Sequence, residues 1–301
     1  MVTDLTDIDA LRGEQYNISN ADRIATNSGY GHMYMLRKYA GLDPSCRVNA
    51  AIEHGYYTDD YVFADEVYHP CNRVITMSPY RKHVIENVVD NCSGISIGPY
   101  IAYAEDYYSS CQLKELKDKW RSPLLIFPKH SLRQSDTVYD AKALIDEAME
   151  IANCHNFKTI FACFHYLDLD KEYINIFRGA GCVIISPGAD IHTDFMSRLK
   201  SILSVSDAIL VNTCTTGIIY AMFLGKKVFI SKQDACDKVR IQHTRFRNSA
   251  FTHGILDVIN EKCSADFRKR WLDYYFGFSD IKSRKEIADI LTGGIRIGLC
   301  N

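Results

Sequence analysis

From Leu124 onward the chain repeats one pattern, a short apolar run followed by a longer stretch whose apolar residues recur at helical spacing. The runs Leu124–Phe127, Thr159–Phe164, Cys182–Ser186, Ala208–Asn212 and Val228–Ile230 have the length and continuous hydrophobicity of buried strands. Between them, Asp140–Ala152 sets Ala141, Leu144, Ile145, Ala148 and Ile151 on one helical face, and Asp194–Leu203 does the same with Phe195, Leu199 and Leu203. Strands that alternate with amphipathic helices predict a parallel sheet covered on both faces. The second half therefore reads as an α/β domain.

The first half carries the same theme more loosely. Asn49–Glu53, Arg73–Met77 and Gly94–Ile97 are strand candidates, each followed by turn or helix-start residues. Two α/β domains are expected, 1–108 and 109–301, joined through the polar, Tyr- and Lys-rich stretch Tyr103–Arg121. Ala265–Phe276 and Asp280–Leu291 read as terminal helices, the last packing back across the first domain.

Charge narrows the partners. With a formal charge of −2 over 301 residues, the chain lacks the Lys/Arg excess of a nucleic-acid binder, and a small anionic ligand needs only a local positive site. The eleven cysteines have no CxxC pair and no regular spacing, and several lie in apolar runs, as Cys163 and Cys182 do. They read as reduced core thiols of a cytoplasmic protein. Met1–Glu14 is acidic and polar, unlike a signal peptide, and no apolar run reaches spanning length. A location in the cytoplasm is expected, with peripheral association at the inner membrane face allowed.

The segment richest in chemistry runs from Ser206 to Ile230 and reads as strand, hydroxyl-rich turn, apolar helix, Gly stop, strand. Thr213, Thr215 and Thr216, with Gly217, open the helix at the strand's carboxyl end. Free backbone N–H groups, a positive dipole end and hydroxyl donors there suit a phosphate or diphosphate. The plain alternative is that the threonines cap the helix, but one cap needs one hydroxyl. A second candidate is Lys129-His130-Ser131, directly after the strand Leu124–Phe127 and trailed by Arg133. A Lys or His there contacts a donor phosphate or protonates a leaving group, against the alternative of an ordinary polar loop.

In the first half Glu53 and His54 end a strand, and Gly55 permits a sharp turn. His54 is the candidate to take a proton from an acceptor hydroxyl, oriented by Glu53, Asp59 or Asp60; otherwise it is a turn residue. The loop 27–32 (Asn-Ser-Gly-Tyr-Gly-His) lacks the full GxGxxG pattern and is a lesser candidate to line an acceptor cleft. Metal chemistry has little support: there is no HExxH, and Asp168-Leu169-Asp170 reads as a helix cap. No P-loop or GxSxG elbow is present.

The order of these motifs is His54-Gly55, Ser78-Pro79, Gly98-Pro99-Tyr100, Pro128–Ser131 and Thr213–Gly225. It resembles GT-B-fold enzymes of bacterial surface-polysaccharide (capsule or lipopolysaccharide) synthesis, loosely including sialyl-, Kdo- and polyglycerol-phosphate transferases. The resemblance implies two Rossmann-like domains facing across a cleft, a nucleotide-sugar donor and a glycan or lipid-linked acceptor; from the motifs alone, no metal is expected, and no cofactor beyond the nucleotide-sugar substrate. It implies that His130 corresponds to the donor-binding His, Thr215 and Thr216 to the phosphate-binding hydroxyls, and His54 to the base. Ser131 stands where those families have Pro, and Thr-Thr replaces Ser-Ser, so the nucleotide stays open. The alternatives are a nucleotide-sugar epimerase, a CDP-glycerol-type phosphotransferase and a non-catalytic nucleotide-sugar-binding subunit.

Overall fold

A computed structural model describes residues 4–12, 24–58, 60–67, 71–131, 136–233, 236–237 and 250–294. From the N-terminus come α1 (Ile8–Arg12), α2 (His32–Ala40), β1 (Ala51–Ile52), α3 (Ala64–Val67), β2 (Arg73–Thr76), α4 (Pro79–Val88) and β3 (Ser93–Ser96). Next are α5 (Ser110–Trp120), β4 (Pro123–Phe127), β5 (Thr137–Val138), α6 (Ala141–His155), β6 (Thr159–Cys163), α7 (Ile174–Gly179) and β7 (Val183–Ile185). Then follow α8 (Phe195–Val205), β8 (Ala208–Val211), α9 (Thr216–Phe223), β9 (Lys227–Ile230), β10 (Cys236–Asp237), α10 (Ala250–Ile259), α11 (Ala265–Phe276) and α12 (Arg284–Thr292). The chain divides into two Rossmann-like α/β units. One comprises Met1–Gln15, Glu105–Asp190 and Ser197–Lys262; the other comprises Tyr16–Ala104, Ile191–Met196 and Cys263–Asn301.

The first is built on a five-stranded sheet of order β7-β6-β4-β8-β9, every neighbouring pair parallel. Leu124, Leu125, Ile126 and Ala208–Val211 are wholly buried, as parallel strands covered on both faces require. The chain travels outward from β4 through β6 to β7, then returns to lay β8 on the other side of β4. The direction of winding therefore reverses between β4 and β8, the kind of point at which open α/β sheets form a ligand crevice beyond the carboxyl ends of the strands. Helix α6 starts where Asp140 accepts from the Ala143 N–H at 2.9 Å, and its buried stripe is Ala141, Leu144, Ile145, Ala148 and Ala152. Ala152 completes that stripe where the helical period had placed Ile151.

The second unit has a three-stranded parallel sheet of order β1-β2-β3. Ile24, Ala51, Val67, Val74, Ile85 and Val89 form one of its apolar clusters. Helices α11 and α12 add Trp271, Leu272, Phe276, Ile287 and Leu291 to the buried set. Backbone and side-chain bonds tie them in: Asn49 N–H donates to Leu291 O at 2.7 Å, Tyr39 OH to Lys282 O, and Lys282 N–H to Tyr103 OH.

The strands of the two parallel sheets fall where the apolar runs predict, each within one or two residues at its ends, whereas the short antiparallel pair β5 and β10 was not expected. The stretch 103–121 holds α5, opened by a Ser109/Gln112 capping box and with no buried residue of its own, and a boundary between the two units falls within it, between Ala104 and Glu105. Two expectations change. Cys111 and Cys154 are exposed, so the thiols are not uniformly core residues. Asp168 caps no helix, as described below. Among the described residues, no helix is long and apolar enough to cross a membrane.

Candidate functional site at the β4–β8 crevice

Strand β4 ends at Phe127 and the chain turns through Pro128–Ser131; β8 ends at Val211 and turns through Asn212–Thr215 into α9. One side chain joins the two exits. Asn212, 2% exposed, accepts the Lys129 backbone N–H on its Oδ1 at 2.8 Å, which leaves its amide Nδ2 buried without a hydrogen-bond partner. A few residues on, Thr215 sits at the N-cap of α9 with extended backbone but makes no capping hydrogen bond, and its Oγ1 is likewise buried and unpaired. Capping thus does not account for Thr215. Two orphaned groups at one switch point are a deficit of roughly 1–3 kcal/mol each unless something occupies the crevice.

Gly217 permits this approach. A Cβ there would stand 2.9 Å from the Phe127 ring and 3.2 Å from Thr215 Oγ1, so the start of α9 lies directly on the end of β4. Thr213 is buried, while Thr215 and Thr216 are half-buried.

The Lys129–Ser131 loop is pinned from beneath. Ser131 is buried; its N–H donates to Asp168 Oδ2 at 3.0 Å and its Oγ accepts the Thr137 N–H at 3.1 Å. Thr137 Oγ1 donates to His130 O at 2.7 Å. Ser131 therefore holds the loop in place through its own N–H and Oγ, to Asp168 and Thr137. Asp168 lies in a turn after β6 and reaches across to this loop, where Tyr139 and Tyr173 flank it, both phenols pushed up chiefly by burial and then by neighbouring groups, Asp168 among them. His130 Nδ1 lies 2.9 Å from Ser131 O, an oxygen that only accepts, so Nδ1 carries a proton. The His130 ring stacks on His165 with centroids 4.6 Å apart and planes 24° apart.

His165 has no place in the sequence reading, and Asp168 enters it only as a helix cap. They follow β6 as Lys129 follows β4, so the rule that ligands gather beyond strand ends applied to them equally; the run Phe164-His165-Tyr166 offered no motif to prompt it. Arg133 lies outside the described residues.

In the three-stranded unit, Glu53 and His54 leave β1 in different directions. Glu53 is 1% exposed; Arg81 Nη2 and Nε donate to its Oε1 at 2.6 and 3.0 Å, and Thr76 donates to Oε2. Burial pushes its carboxyl pKa up against the pull of Arg81, and that guanidinium, despite its own burial, is held more firmly protonated by Glu53. Glu53 is thus one half of an interior ion pair. Asp60 accepts from Tyr80 OH at 3.1 Å, and Asp59 lies outside the described residues. His54 is half-buried, its ring 4.4 Å from that of Tyr30.

Fold and strand order together define a Rossmann-like α/β protein with a topological switch point between β4 and β8. No protein-family model matches the sequence, and no curated protein does. Among solved structures, the chain is similar to a UDP-GlcNAc 2-epimerase from Neisseria meningitidis bound to UDP-GlcNAc, at 14% identity and TM-score 0.38 over 73% of this chain and 59% of that one. It is also similar to the catalytic domain of starch synthase IV from Arabidopsis thaliana bound to ADP and acarbose, at 12% identity and TM-score 0.33 over 75% of this chain and 56% of that one. The chain spans less than three fifths of the length of either.

Proposed function

We propose that the protein is a nucleotide-sugar-dependent glycosyltransferase of surface-polysaccharide synthesis whose donor phosphate occupies the β4–β8 crevice. One observation carries the reading: Asn212 Nδ2 and Thr215 Oγ1 are buried hydrogen-bonding groups without partners, three positions apart in the turn that leaves β8 at the point where the sheet reverses its winding. Both are able to donate, and a phosphate oxygen accepts. Lys129 and His130, from the facing strand exit, offset charge on the departing nucleotide, and Thr213, Thr216 and the α9 backbone complete the donor side. Thr216 and Gly217 begin the helix that aims its positive end there. His54 is the proposed base toward a glycan or lipid-linked hydroxyl.

A thermal-shift and calorimetric panel of CMP, CDP, UDP, GDP and ADP tests the donor site. One of these nucleotides is expected to stabilise the wild type. Thr215→Val and Asn212→Leu are each expected to weaken that binding about tenfold or more, the worth of a hydrogen bond to a charged group. Unchanged affinity in both variants, or no nucleotide binding by the wild type, sinks the reading. Turnover of a nucleotide sugar with no acceptor present would instead mark an epimerase.

A further inference from the structure

Residues 27–32 form a turn whose shape is costly in several places at once. Asn27, wholly buried, uses both ends of its amide to fasten the turn to β1: Oδ1 accepts the Ile52 N–H at 2.7 Å and Nδ2 donates to Ala50 O at 3.0 Å. Gly29 then passes so close to His54 that a Cβ on it would stand 2.7 Å from the imidazole Nδ1. Tyr30 follows in the left-handed region, φ 53 and ψ 20, a conformation that costs a bulky residue about 1–2 kcal/mol. That conformation delivers the Tyr30 ring between His54 at 4.4 Å and Phe195 at 5.0 Å. Gly31 is left-handed too, with carbonyl oxygens of His192 and Thr193 at 2.8 and 3.0 Å from any Cβ it might bear.

His32 opens α2, is 2% exposed, and packs edge-on against Tyr100 at 4.6 Å. The Tyr100 hydroxyl lies 3.1 Å from the carbonyl oxygens of Glu53 and Ile75, so this contact reaches the peptide group that leads into His54. Burial first, and then the nearby His54, hold His32 well below the usual histidine range. Backbone strain of this kind persists only where the surroundings enforce it, and it clusters where a side chain must be aimed.

We infer that residues 27–32 are a cradle for the His54 imidazole, with Tyr30 and His32 as positioning residues that set the ring as the proton acceptor of this unit. The proton-acceptor part rests on the glycosyltransferase reading above; the cradle does not. The Nδ1 edge of the ring faces Gly29, and Nε2 is the edge turned away from it. The Tyr30 ring, tilted 42° to the imidazole at 4.4 Å, packs against it and restrains it from swinging out. His32, staying neutral, supports the chain behind it without adding a second positive charge.

The test is an NMR titration of the full chain carrying 13C-labelled histidine, with the His54 Cε1–Hε1 signal assigned by its loss in His54→Gln. Gly29→Ala and Tyr30→Ala are expected to shift that signal and its titration midpoint, whereas Tyr30→Phe, which keeps the ring, leaves both in place. With a nucleotide sugar and acceptor, turnover in the two alanine variants is expected to fall about tenfold or more through kcat, donor KM being unchanged. A His54 signal and midpoint identical to wild type in both alanine variants overturns the cradle, as does Tyr30→Phe behaving like Tyr30→Ala. If circular dichroism shows Tyr30→Ala unfolded, Gly29→Ala and Tyr30→Leu decide. Undiminished turnover in His54→Gln overturns the proton-acceptor role alone, and nucleotide binding by that variant shows whether the donor-site reading stands.

Discussion

Glu53 shows how one residue divides sequence from structure. Adjacent carboxylate and imidazole at a strand end look like an acid–base pair, yet side chains alternate across a strand and its exit, so neighbours 53 and 54 point to different surroundings. Glu53 turns inward onto Arg81 and Thr76. Its partner Arg81 also donates to Tyr61 O at 2.9 Å, which fastens the β1 exit loop to α4. Removing one member leaves the other charged and buried, so Arg81→Met is expected to lower unfolding free energy by about 3–5 kcal/mol. Urea denaturation measures it. Loss below 1 kcal/mol would mean that the pair is not the anchor of this loop.

His32 yields a pH prediction. Its folded-state pKa is depressed mainly by burial, so the unfolded chain takes up a proton at that site more readily than the folded one. Stability from this residue is full above about pH 6.5, its unfolded pKa, and is lost as pH falls below that value. The slope should approach about 1.4 kcal/mol per pH unit for one proton. His32→Gln is expected to flatten the wild-type stability curve between roughly pH 6.5 and 5. Parallel curves for the two proteins would show that His32 titrates normally.

Among elements, the five parallel strands were legible because burial on both faces writes continuous apolar runs, and α11 was legible to the residue because Ser264 and Gly277 cap its two ends. What the sequence hid were contacts between elements. The role of Gly217 is set by the Phe127 ring of another strand, and that of Asp168 by the Ser131 N–H, 37 positions away. No local periodicity encodes such a pairing. Asn212, similarly, looked like a strand's last residue, although its amide joins two strand exits.

Gly277 is a stronger instance. It ends α11 with φ 69, and a Cβ there would stand 2.0 Å from Met77 O, a backbone atom of the β2–α4 turn that cannot step aside. Gly277→Ala is expected to destabilise by more than the left-handed penalty of about 1–2 kcal/mol, because the helix end must lift off the sheet as well. Thermal unfolding of the variant reads this directly. An unchanged midpoint would mean that α11 does not rest on that turn.

At the scale of the whole molecule, the three-stranded unit is assembled from chain segments far apart in sequence, and its stability should depend on the most distant of them. Residues 16–104 supply the sheet, but a sheet of three short strands has too little apolar surface to hold itself. Helices α11 and α12 contribute Trp271, Leu272, Phe276, Ile287 and Leu291, each less than a tenth exposed. At about 1.5–3 kcal/mol for each side chain buried, they hold a large share of the unit's hydrophobic stabilisation. A chain ending at Lys262 would also leave Asn49 N–H and Tyr39 OH without their partners on Leu291 and Lys282. The five-stranded unit comprises no residue beyond 262 and buries Leu124, Leu125, Ile126 and Ala208–Val211 in its own sheet. Deletion of 263–301 is therefore expected to abolish hydrogen-exchange protection at β1, β2 and β3 while β4, β6 and β8 keep theirs. The same deletion should leave nucleotide affinity within a few-fold of wild type, since the orphaned donors at Asn212 and Thr215 lie wholly in the surviving unit. Uniform loss of protection across both sheets would show instead that the two units fold as one cooperative block, with the terminal helices needed by each.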